Sequence, residues 1–151
     1  MTRRRDDVVH RAPAAGDMNA ISILLGELGY PASADEVADR LGALAGMPVV
    51  LTLVAAAGRE VFGVITSHIF PSLHSATPIA WITTLVVSSH ARGMGVGTML
   101  LEEAERWAAE NGAERVSLTS GVAREGAHRF YEARGYARTG LRFSKTIASR
   151  P

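Results

Sequence analysis

Three glycines alternate at Gly93, Gly95 and Gly97, directly behind Arg92 and ahead of a long amphipathic stretch. Alternate glycines let successive backbone N–H groups face one concavity without side chains blocking it. A helix N-terminus adds unpaired N–H groups and a partial positive charge. The Arg92 guanidinium can add a charge-assisted hydrogen bond. Phosphate binding is the chemistry such a turn supports, and a tight turn without a ligand is the competing reading. A Walker A loop would need Gly-Lys-Ser/Thr at its end, but Gly97 is followed by Thr98-Met99. A dinucleotide fingerprint spaces its last two glycines by two residues and follows the first strand of its unit, whereas here the spacing is one.

Other chemistry is narrowed by composition. The chain has 151 residues and no cysteine, which removes disulfides, thiolate zinc sites and cysteine nucleophiles; no metal is expected. The chain has five histidines, a residue type that titrates near neutrality. The net charge of +1 lacks the basic excess of a nucleic-acid binder. Arg3-Arg4-Arg5 reads as part of a flexible tail over residues 1–6. No apolar segment is long enough to cross a bilayer, and the charged start lacks a signal-peptide core, so a cytoplasmic location is expected.

The elements that must hold the turn follow from periodicity. Val8 to Arg11 is a short β-prone run. Asp17 is expected to cap a helix with apolar Met18, Ile21, Leu25 and Leu28, stopped by Gly29. Ser33-Ala34-Asp35-Glu36 is a capping-box pattern opening a second helix with Val37, Leu41 and Leu44 inward, closed by Gly46. Val49 to Ala56 and Glu60 to Phe70 are expected to form a hairpin about Ala57-Gly58-Arg59. Ile79 to Val87 is a third strand of this set. Gly97 to Asn111 is the strongest helix, with Leu100, Leu101, Ala104, Trp107 and Ala108 in one stripe and Glu102–Arg106 as an i,i+4 pair. Val116 to Thr119 reads as a strand, Glu125 to Arg134 as a helix stopped by Gly135, and Phe143 to Ile147 as a last strand. The order is β, α, α, β, β, β, α, β, α, β: one α/β domain over residues 1–151, with no repeat and no linker.

The run Val87 to Leu100, centred on Arg92-Gly93-Met94-Gly95-Val96-Gly97, resembles the acetyl-CoA signature of the GNAT superfamily of N-acetyltransferases, Arg/Gln-x-x-Gly-x-Gly/Ala after a strand. Ala127 to Tyr136 resembles its second motif, Ala-x-x-x-Tyr-x-x-x-Gly-Phe/Tyr. Together the motifs cover about the last half of the chain, and the element order is that superfamily's.

The resemblance implies a central mixed, strongly twisted sheet flanked by helices, with strands splayed at the acetyl-CoA site. It implies that backbone amides from Arg92, Gly93, Met94, Gly95, Val96, Gly97 and Thr98 hold the pyrophosphate. Leu85, Val86 and Val87 would pair with the pantetheine arm, and a free N–H at the splay would stabilise the thioester oxyanion. Tyr131 matches the family's general acid; a phenol with a pKa near ~10 stays protonated at neutral pH and can donate to the departing thiolate. From spacing alone, Tyr131 also reads as a core aromatic beside Phe130.

The chain departs from many relatives in two places. Thr83 and Thr84 stand where a strand carboxylate often acts as base, so a water chain, His68, His74 or His128 must serve. Arg124 stands where relatives often place an asparagine toward the pantetheine, and it can reach a phosphate instead. The regions that set acceptor specificity in the family, roughly 25–44 and 70–78, hold no acidic cluster. The stretch from His68 to Leu73 and the Phe143-Ser144-Lys145 ending loosely resemble small-molecule acetyltransferases, including the aminoalkylphosphonate group. A small-molecule amine is therefore the expected acceptor, with a protein or peptide amine, a non-catalytic acetyl-CoA-binding module, or a nucleotide binder as alternatives. Dimers are common in the superfamily, so a homodimer is an expectation by analogy.

Overall fold

A computed structural model describes residues 5–148. The chain falls into two compact units, Met1–Leu118 and Thr119–Pro151. Of the expected tail, Arg5 and Asp6 enter a short 3-10 turn with Asp7, and the earlier residues lie outside the described ones.

The first unit contains a five-stranded mixed sheet in the order β1-β2-β3-β4-β5. Its strands are β1 (Val9–Arg11), β2 (Val50–Ala57), β3 (Glu60–Phe70), β4 (Ile79–Val87) and β5 (Val116–Leu118). The first four pair antiparallel and β5 runs parallel to β4. The unit's helices are α1 (Met18–Leu28), α2 (Ala34–Ala45) and α3 (Val96–Glu110). The α/β class and element order thus follow the sequence expectation as far as β5.

Local signals account for most boundaries. At the end of α1, Gly29 takes φ 98°, and its N–H and that of Tyr30 return to Gly26 and Leu25 carbonyls at 3.1 and 2.9 Å. The Ser33–Glu36 capping box opens α2, with both reciprocal bonds at 3.1 Å. Gly58, at φ 61°, turns β2 into β3.

The sheet is covered on both faces. Val54, Val64 and Val86 lie across β2, β3 and β4 and pack with Ile21 and Leu24 of α1 and Val37 of α2. Neighbouring residues on a strand point to opposite faces, and Gly63 beside Val64 meets α3. A Cβ at Gly63 would stand 3.0 Å from Val96 Cγ1 and 3.1 Å from Leu100 Cδ1 and the Val86 carbonyl. The missing side chain therefore lets the first turns of α3 rest on the sheet. Val96, Leu100, Leu101, Ala104 and Ala108 are the buried stripe.

Three expectations need correcting. Asp17 does not cap α1: a 3-10 turn, Ala15–Asp17, runs straight into the helix, and Asp17 is itself helical with no capping bond. Its carboxylate instead takes both guanidinium nitrogens of Arg11, at 2.7 and 3.1 Å, and the Ala14 N–H at 2.7 Å. A charged partner and an early 3-10 start together outcompete the cap. On α3, Arg106 pairs with Glu103 at 2.6 Å rather than with Glu102, because Glu103 lies toward His10 of β1 (3.5 Å) while Glu102 faces solvent. Finally, Phe143 to Ile147 is not a strand: this stretch has no ladder partner among the described residues, and Phe143 and Ile147 are exposed.

The second unit contains α4 (Glu125–Ala133), opened after a turn in which the Arg124 N–H bonds the Gly121 carbonyl at 3.0 Å. Gly135, at φ 89°, follows it.

Candidate functional site

The site begins where the parallel ladder stops. β4 and β5 share only three register pairs, Ala80–Val116, Trp81–Ser117 and Ile82–Leu118. β4 runs on through Val87, held on its other side by β3 through Ile65–Leu85, Val64–Val86 and Gly63–Val87. From Thr83 to Val87 its β5-side edge has no ladder partner among the described residues. This is the free edge expected for Leu85, Val86 and Val87.

The chain then enters a short 3-10 turn, Ser89–Ala91, and the glycine turn. Ser88 Oγ accepts the His90 N–H at 3.2 Å, and Ser89 Oγ donates to Glu27 of α1 at 2.9 Å. Gly93 and Gly95 take φ 84° and 76°, the left-handed region that a side chain strains. Gly97 lies inside the first turn of α3 and is buried. Met94 spends its N–H on the Ala91 carbonyl at 3.2 Å, and Met99 on Gly95 at 3.0 Å. The amides of Arg92, Gly93, Gly95, Val96 and Gly97 have no hydrogen-bond partner among the described residues. Thr98 completes the first helical turn. The Arg92 side chain is exposed and makes no ion pair among the described residues. Unpaired amides at a helix start, beside an exposed guanidinium, suit a pyrophosphate. The free β4 edge leading to them suits an extended amide-bearing arm.

Beside this edge lies a polar row that sequence reasoning found only in part. Thr66 pairs with Thr84 and Ser67 with Ile82, so Thr83 is the extra residue of a β-bulge. Thr83 Oγ1 lies 2.7 Å from Thr66 Oγ1 and 3.1 Å from His68 Nε2. The bulge therefore puts a hydroxyl, not a carboxylate, at this point of β4. Thr66 was not singled out, although its spacing of two from His68 on one strand already places both on one face. Of the other two histidines, His74 bonds Ser72 Oγ at 2.7 Å in an exposed loop. His128 donates from Nε2 to the Gly121 carbonyl at 2.8 Å, closing the turn before α4.

The cross-strand partners of Thr66 and His68 on β2 are Thr52 and Val50. Both line an open hollow of about 570 Å³, together with Pro13, Met18, Leu41 and Leu44. Its lining contains no charged side chain.

Tyr131 stands on α4 in the second unit. Its ring meets Phe130 and Tyr136 edge-on, at centroid distances of 5.3 and 5.8 Å. Burial pushes its phenol above the ordinary value, and the Arg124 charge pulls weakly the other way. The phenol therefore stays protonated throughout the neutral range.

No described helix is long and apolar enough to cross a membrane, and no group of three or more His, Asp or Glu among the described residues is arranged to hold a metal ion.

Over nearly its whole length the chain is similar to the aminoalkylphosphonate N-acetyltransferase of Salmonella typhimurium: 35% identical over 156 residues, covering 97% of this chain and 99% of that protein. The fold is shared with a transcriptional regulator from Bacillus halodurans C-125, with TM-score 0.82 and 24% identity over 91% of this chain and 99% of that one. It is also shared with glucosamine-6-phosphate N-acetyltransferase from Arabidopsis thaliana, with TM-score 0.78 and 19% identity over 93% of this chain and 99% of that one. Residues 21–136 match the Acetyltransferase (GNAT) family. With that match and a full-length N-acetyltransferase relative, the chain belongs to the GNAT family of acetyltransferases.

Proposed function

We propose that this N-acetyltransferase moves the acetyl group of acetyl-CoA to the primary amine of a small molecule. The observation that carries the reading is the free edge of β4 running directly into five unpartnered amides at the start of α3. Those amides and Arg92 hold the pyrophosphate, and Leu85, Val86 and Val87 take the pantetheine arm. Acetyl-CoA supplies the activated acyl group. The amine nitrogen bonds the acetyl carbon, the carbon–sulfur bond breaks, and the electron pair leaves on sulfur. Tyr131 gives that sulfur its proton as general acid.

A small acceptor is supported by the hollow beside the site, whose uncharged lining offers nothing to a polycation. The full-length relative named for aminoalkylphosphonates makes short aminophosphonates the first acceptors to try.

Calorimetric titration with acetyl-CoA, CoA, ATP and NAD, on the wild type and on Arg92→Ala combined with Gly95→Val, tests the cofactor. Binding of the CoA pair alone, lost in the double variant, is expected; ATP or NAD competing with CoA would overturn it. A thiol-release screen over small amines then separates the enzyme from a non-catalytic acetyl-CoA-binding module, which would bind without turnover.

A further inference from the structure

The geometry points to His68 as the group that deprotonates the acceptor ammonium, working through the Thr83 hydroxyl at the β4 bulge. This rests on the acetyltransferase reading above and assigns the base that reading leaves open.

The bulge is the starting point. In a regular ladder Thr83 would sit opposite a β3 residue, but here the register steps from Thr66–Thr84 to Ser67–Ile82 and leaves it as the unpaired extra residue. Its side chain is exposed and lies next in sequence to the free edge of β4. Its oxygen is gripped from β3 by two groups of different kind, Thr66 Oγ1 at 2.7 Å and His68 Nε2 at 3.1 Å. Thr66 is buried, so its hydroxyl proton must find an acceptor nearby, and Thr83 Oγ1 provides one. With Thr66 donating to Thr83, the Thr83 proton is directed to His68 Nε2. The Thr83 oxygen then keeps a lone pair facing outward for an N–H of the incoming ammonium.

The proton balance closes on these residues. The ammonium passes one proton to Thr83 Oγ1 as the Thr83 hydroxyl proton moves to His68 Nε2. The amine becomes neutral, the imidazole becomes imidazolium, and Thr83 is unchanged. The neutral amine is the nucleophile; the second proton, shed by its nitrogen as the amide forms, replaces the one Tyr131 gives to sulfur, and the imidazolium returns its proton to solvent after product leaves. Two threonines do nothing of this kind alone, since a hydroxyl is too weak a base; the imidazole makes the row a base.

The surroundings of the row carry little competing charge. β2 contributes Val50 and Thr52, and β4 contributes Trp81, Thr83 and Thr84. The loop after β3 has His74, bonded to Ser72. α1, which covers the adjacent row of valines, has one titratable residue, Glu27, bonded to Ser89. α2 has Asp35, Asp39 and the exposed Glu36–Arg40 pair at 3.4 Å. Asp17, ahead of α1, is paired with Arg11.

The test is steady-state thiol release with the best amine from the screen, followed over pH 5.5–10 for wild type, His68→Gln, Thr83→Val and Thr83→Ser, with acetyl-CoA titrated into each. His68→Gln and Thr83→Val should each lose about a hundredfold in kcat/KM at pH 7. Both should recover as the pH approaches the amine's own pKa, with acetyl-CoA affinity unchanged. Thr83→Ser, which keeps the hydroxyl, should retain at least about ten times the activity of Thr83→Val. A His68→Gln enzyme with the wild-type pH profile and rate would overturn the relay. So would equal losses in Thr83→Ser and Thr83→Val. If the wild type binds acetyl-CoA yet no amine releases thiol, the acetyltransfer reading itself falls and the relay with it; intact binding in the variants excludes misfolding as the cause.

Discussion

Tyr131 is the residue whose role is most exposed to a direct test. Its hydroxyl is the atom Tyr131→Phe removes, while the edge-on contacts with Phe130 and Tyr136 belong to the ring and survive. Turnover should fall about a hundredfold with acetyl-CoA affinity unchanged, and equal rates would remove Tyr131 from the chemistry. Because burial raises the phenol pKa, the basic limb of the wild-type rate profile should stand above the ordinary phenol value of 10.0. Single-residue features were legible where a motif carried them, as at the left-handed Gly93. They were not legible at Thr83, because a bulge is a property of the register between β3 and β4 and leaves no mark on either strand's own pattern.

Among the elements, the seat of α3 on the sheet is the contact that fixes the glycine turn. Gly63→Ala would place a methyl 3.0 to 3.1 Å from Val96, Leu100 and the Val86 carbonyl, two of them side chains of the buried stripe. Overpacking of this kind costs about 2 kcal/mol, read as a lower urea midpoint. The helix start should also shift outward, so acetyl-CoA should bind more weakly; unchanged stability and affinity would mean that the interface yields at no cost. Helix and hairpin boundaries were readable because their signals are local: the capping box at Ser33, the left-handed Gly29 and Gly58. Asp17 misled because its competing partner, Arg11, lies six residues away and makes a stronger bond than any cap. Phe143 to Ile147 misled because β-propensity supplies no ladder partner.

For the whole molecule, the Arg11–Asp17 pair links stability to pH. The Arg11 guanidinium, helped by the Ala14 N–H, holds the Asp17 carboxyl below its ordinary value of 3.8 against the opposing effect of burial. The folded state therefore binds this proton more weakly than the unfolded chain. The stabilisation is complete above the unfolded value and is lost as pH falls through the folded one. Asp17→Asn should cost about 3 kcal/mol at pH 7, the lower end for breaking a buried pair, since Arg11 is partly exposed. Thermal melts from pH 2 to 7 should show wild type and variant converging at the acid end; a constant gap would assign the effect to packing alone.

The three-rung pairing between β4 and β5 also divides the protein by timescale. A short parallel ladder is a weaker seam than the long antiparallel ones beside it, and local opening follows such seams. In a hydrogen-exchange measurement the amide protons of β5 should exchange earlier than those in the long β2–β3–β4 meander. Opening at this seam therefore leaves the β2–β3 and β3–β4 pairings intact.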